Sequence, residues 1–127
     1  MRKAICILIF LLIHARVLVG QELLIPDHHS LVDSISGDLD KDSNSELVVV
    51  YNVGPDDEAY GYSRQLIIYK LKDSKWTEWK KSDQALFSSK DGGMMGDPFD
   101  AIEIENSVLL VRQSGGSGWK WWITDKY

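Results

Sequence analysis

Counted from Asp38, the first, third, fifth and ninth residues of the stretch GDLDKDSNSE are the carboxylates Asp38, Asp40, Asp42 and Glu46. Side chains at odd positions of a tightly curled chain converge on one point. Four carboxylates with one main-chain carbonyl and water would meet the demand of calcium for about six to eight oxygens. Asn44, the seventh residue counted from Asp38, is placed to offer that carbonyl. An EF-hand is excluded, because its twelfth position needs Glu and this chain has Val49 there, within an apolar run and without flanking helices. The competing reading is a solvated acidic turn, since Asp, Ser and Asn are ordinary turn residues. Against it, four like charges in so short a segment repel one another without a cation, and a turn does not require odd spacing. Ser43, at the sixth position, is expected to adopt the left-handed backbone that glycine normally supplies, at a cost of about 1 kcal/mol.

Other residues with chemical potential carry less. His28 and His29 could ligate zinc, but adjacent side chains rarely converge and no third ligand is close, so they read as surface imidazoles. Asp97, Asp100, Glu103 and Glu105 could supply paired carboxyls for glycoside hydrolysis, yet nothing in their spacing selects two facing groups. There is no serine elbow, phosphate loop or Cys/His pair. All five tryptophans follow residue 75. Trp119 and Trp121 are expected in the core of a small β domain. Trp79 and Trp122 are the candidates for an exposed platform that stacks on a glycan or a protein partner.

The elements that must hold these residues are strands. Leu47 to Tyr51 are apolar and mostly β-branched, which predicts a strand covered on both faces. Residues 53–63 have loop composition. Leu66–Leu71 and Trp76–Trp79, separated by residues 72–75, read as a hairpin. In AIEIENSVLLVRQ, a two-residue turn at Asn106-Ser107 pairs Ile104 with Leu109 and Ile102 with Val111, leaving Glu103 and Glu105 on the opposite face. A glycine-rich turn, residues 115–118, then leads into WKWWI, where Trp119, Trp121 and Ile123 would share a face. No segment of ten or more residues beyond the first twenty keeps a 3.6-residue period. The expected fold class is all-β, a small mainly antiparallel domain that is sandwich-like or propeller-blade-like.

The first twenty residues read as an export signal: Arg2 and Lys3, an apolar run from Ala4 to Ile13, and a small residue, Gly20, at the expected cleavage point. The expected organisation is a signal helix over 1–20, an extended arm or early short strand over 21–36, and a β domain over 37–127. The terminal WKWWITDKY strand suggests a domain that stops short of completion. Removing residues 1–20 takes away three basic residues and no acidic ones, leaving 11 basic against 19 acidic and a net charge of −8. That charge argues against nucleic acid as a partner. The apolar run is too short to leave a stable membrane span of about 20 residues. The only cysteine, Cys6, lies inside the signal, which argues against disulfide or thiol chemistry in the exported part. These bounds favour a secreted or periplasmic product.

GDLDKDSNSELVVVY resembles the calcium loop and following strand of the FG-GAP, or VCBS-type, repeat of extracellular β-propellers and integrin-like proteins. The resemblance implies calcium ligation by Asp38, Asp40, Asp42, the main chain of Asn44, and Glu46. Glu46 and Ser43 depart from the more usual Asp and Gly. A single motif does not make a propeller of several blades. Gly92, Gly93, Gly96, Asp97, Pro98, Phe99, Gly115, Gly116, Trp119 and Trp121 resemble positions of small exported bacterial proteins that pair such a loop with a GDPF segment and a GG-S-x-W-x-W strand. The resulting expectation is an exported, non-enzymatic β domain with a structural calcium loop. The alternatives are a binding module with a Trp-rich face and a small hydrolase.

Overall fold

A computed structural model describes residues 22–127. The expected signal helix lies outside them. Among the described residues there is no α-helix, and two antiparallel sheets account for the fold. The first contains β1 (His29–Gly37), β2 (Glu46–Asp57), β3 (Gly61–Lys72) and β4 (Lys75–Ser82) in chain order, and the second contains β5 (Phe99–Glu105), β6 (Val108–Gly116) and β7 (Lys120–Lys126). The arrangement is a small β-sandwich.

The continuous apolar run of β2 is buried on both faces, as such a run requires. Val48 and Val50, with Leu66 and Ile68 of β3, face the second sheet and meet Ile102, Leu109 and Val111. Val49 and Tyr51, with Ile67 and Tyr69, form a second cluster on the opposite face, against which Leu23 and Trp76 pack. The Tyr51 and Tyr69 hydroxyls lie 3.0 Å apart in that cluster. Burial pushes both phenols up from their ordinary range.

The β5–β6 turn has the expected register, with Ile104 opposite Leu109 and Ile102 opposite Val111. Asn106 and Ser107 both have positive φ, 50° and 62°, as a type I′ turn demands. Asp73 and Ser74 make the equivalent turn between β3 and β4, at φ 50° and 62°.

Two expectations are corrected and a third is narrowed. Residues 21–36, read as an extended arm or an early short strand, hold most of a strand, nine residues from His29 to Gly37. Its apolar alternation is hidden because a bulge between Leu31 and Asp33 lets both Val32 and Ile35 pack against the inter-sheet core. Residues 53–63 are not all loop. β2 continues to Asp57 and β3 resumes at Gly61, with the pairing interrupted between Val53 and Asp57, where Gly54 has φ 74°. Trp119, expected in the core, is 92 % exposed. It sits in the turn before β7, with its carbonyl accepting the Ser117 N–H at 3.2 Å, so no ladder position turns its ring inward. Trp121, also expected in the core, is only partly buried and packs outside the inter-sheet cluster, against Phe87, itself exposed, at 5.3 Å between ring centroids. Gly115 makes room for it, because a Cβ there would lie 2.5 Å from the indole.

The segment between the sheets is held by buried polar groups. Gln113 of β6 accepts the Phe87 N–H at 2.8 Å and donates to the Ala85 carbonyl at 3.2 Å. Arg64 of β3, its side chain 2 % exposed, donates to both carboxylate oxygens of Asp97 at 2.9 and 2.5 Å and to Asn52 Oδ1 at 2.7 Å. This bidentate pair joins the first sheet to the segment that leads into the second.

Candidate metal centre

The acidic loop is the connection between β1 and β2. Gly37 and Glu46 are register partners that close it, so Glu46 is both a loop residue and the first residue of the central strand. Gly37 is needed at the base because a Cβ there would lie 2.9 Å from the Ile104 side chain of β5. The loop therefore springs from a point where the two sheets approach closely.

One oxygen from each of Asp38, Asp40, Asp42 and Glu46 lies within 4.8 Å of the others. The loop's own amides set this curl. Asp42 N–H is shared between Asp38 Oδ1 at 3.3 Å and Asp40 Oδ1 at 3.2 Å, Ser43 N–H donates to Asp38 Oδ2 at 2.8 Å, and Asn44 N–H donates to Asp42 Oδ1 at 2.8 Å. Leu39 N–H donates to Glu46 Oε2 at 2.7 Å. The backbone turns left-handed twice within this curl, at Lys41 (φ 62°) and Ser43 (φ 69°). The left-handed Ser43 was expected from the sequence, and the left-handed Lys41 was not.

The charge state of the cluster is uneven. Lys70 of β3 pairs with Asp40 Oδ2, and this hydrogen bond holds the Asp40 carboxyl below its ordinary range and raises the Lys70 ammonium. Among the described residues, Asp38, Asp42 and Glu46 have no ion-pair partner. Glu46 is only 2 % exposed. A carboxylate removed from water beside three others is a costly arrangement unless a cation compensates it. The donor set is all oxygen, which suits a hard divalent cation rather than zinc or copper. The residues present therefore fit such an ion.

Beside the loop is a surface cavity of about 440 Å³ bordered by Asp42, Asn44, Glu46, Lys70 and Trp76. Lys70 also stands over the Trp79 ring, 4.1 Å from its centroid. Trp79 is the extra residue of a bulge in β4, since Tyr69 pairs with Glu78 and Ile68 with Lys80. Neither Lys70 nor the bulge is signalled in the sequence, because the contact joins residues 30 apart and depends on strand pairing.

The other candidate residues are dispersed. Trp79 lies on β4 and Trp122, 70 % exposed, on β7, so the two are on different sheets and do not share one flat face. His29 lies 2.7 Å from the Asp27 carbonyl and 2.8 Å from Gln65 Oε1, contacts within the fold. Asp97 is engaged with Arg64, Asp100 accepts from Ser114 Oγ at 3.0 Å, and Glu103 pairs with Arg112 at 3.0 Å. Three of the four carboxylates considered for hydrolysis thus have structural partners. Among the described residues no helix is long and apolar enough to cross a membrane. Comparison with protein-family models, curated proteins and solved structures finds no match.

Proposed function

We propose that this chain is an exported, non-enzymatic β domain, secreted or periplasmic, whose β1–β2 loop binds calcium in a structural role. The observation that carries the reading is the convergence of four carboxylates, one of them buried, on a loop wound by its own amides. Asp38, Asp40, Asp42 and Glu46 would hold the ion, with the Asn44 carbonyl as a further donor. A bound ion would offset the mutual repulsion of the carboxylates and fix the start of the buried strand. The resemblance of the loop to FG-GAP and VCBS-type repeats supports calcium over other hard cations. Export rests on the basic and apolar character of residues 1–20.

The test is thermal unfolding with and without calcium. A ligand that binds only the native state must raise the melting temperature, by an amount equivalent to about 2.7 kcal/mol at a hundredfold excess over Kd. Asp42→Asn should abolish that gain. Without calcium the variant should melt within about 0.5 kcal/mol of wild type, since an Asn oxygen can still accept the Asn44 N–H. An equal loss with and without calcium would assign the aspartate to turn hydrogen bonding instead.

A second reading is a glycan- or protein-binding module, favoured by the exposure of Trp122 and Trp119 near one end of the second sheet. Stacking on a sugar would appear as quenching of tryptophan emission that is lost in Trp122→Ala.

A further inference from the structure

We infer that Lys70 is a tethered counter-cation of the acidic loop, which competes with the metal for Asp40 and is retained by the Trp79 ring, on which it already rests, when the metal binds. The inference rests on the calcium-loop reading and specifies what sets the affinity of that site. Of the four converging carboxylates, Asp40 alone has an ion-pair partner among the described residues. Its Oδ1 accepts the Asp42 N–H and its Oδ2 accepts from Lys70, so the side of the carboxylate not used by the loop is taken by the ammonium. An arriving divalent cation must draw on that same carboxylate. Two cations on one carboxylate repel each other, so each weakens the hold of the other.

Trp79 makes the exchange inexpensive. Its indole lies beneath the ammonium at 4.1 Å, within the range where a ring face attracts a cation, and the β4 bulge is what turns this side chain toward Lys70. Lys70 therefore has a second favourable contact that does not depend on Asp40. Lys80 is also near that ring, at 5.4 Å, but is not paired with the loop, which makes it the natural control for general charge. The plain alternative is a surface ion pair that only braces the loop. In that case its removal would weaken metal binding or leave it unchanged.

The experiment is calcium titration of the full chain by calorimetry, with tryptophan emission followed in parallel. Lys70→Met and Lys70→Gln should bind calcium about three- to tenfold more tightly than wild type, while Lys70→Arg stays near wild type. Lys80→Met should change affinity less than twofold. Calcium should alter tryptophan emission in wild type, and that change should disappear in Trp79→Phe. The two neutral variants guard against one failing to fold, which circular dichroism reports. Unchanged or weaker binding in the neutral Lys70 variants overturns the inference, as does equal tightening by Lys80→Met. Binding without any response from Trp79 overturns the retention of Lys70 on the ring. Absence of binding in both wild type and the neutral Lys70 variants instead refutes the calcium loop itself. Binding that appears only in those variants supports competition in its strongest form.

Discussion

Ser43 shows how one residue's backbone conformation sets the chemistry of the loop. At φ 69° it occupies the left-handed region, and its N–H thereby reaches Asp38 Oδ2. A β-branched side chain is sterically excluded from this region more strongly than serine. Ser43→Val should therefore cost about 1–2 kcal/mol even without calcium, and Ser43→Gly should be neutral or mildly stabilising because glycine's greater freedom in the unfolded chain offsets its native advantage. Chemical denaturation midpoints of the calcium-free proteins provide the measurement. The residue types and spacing of the loop made Asp38, Asp40, Asp42 and Glu46 legible as a cluster, because convergence follows from local curl. Lys70 was not legible, since only the pairing of β1, β2 and β3 brings it to Asp40.

At the level of elements, recognition from sequence succeeded where alternation and turn chemistry agreed. Asn106-Ser107 fixed the β5–β6 register because only one pairing put Ile102, Ile104, Leu109 and Val111 together. It fell short where a bulge hides the period, as at Val32 in β1, because the extra residue breaks the period-two alternation that marks a strand. Trp119 was misplaced for a related reason: it lies one residue before the ladder begins. The same hairpin offers a test. The second residue of a type I′ turn favours glycine, and Ser107 sits there at φ 62°. Ser107→Gly should stabilise the protein by about 0.5 kcal/mol, seen as a higher melting temperature with no change in calcium response.

For the whole molecule, the cross-link between the sheets is Arg64 with Asp97. Burial pushes the Asp97 carboxyl up, but hydrogen bonds from Arg64 and the Phe99 N–H outweigh it and hold the group below its ordinary range. A carboxyl lowered in the folded state contributes stability above its unfolded value of about 3.9, and that contribution is lost as pH falls through the lower folded value. Asp97→Asn should cost about 2–3 kcal/mol at neutral pH, since it leaves the buried guanidinium without its counter-charge. The variant should also show a flatter stability profile below about pH 4. Melting curves across pH 3–7 on the order of half-unit steps would check both. The connectivity adds a kinetic consequence. Every strand pair joins consecutive strands, and among the described residues the chain passes from one sheet to the other once, between β4 and β5. Each sheet can zip from its own hairpins with short loop closures, so the late event is the docking of two nearly finished halves. The Arg64–Asp97 latch and the Gln113 clamp belong to that docking. When they release, the molecule should open like a book along its inter-sheet core, and amides of the two sheets should exchange as separate units.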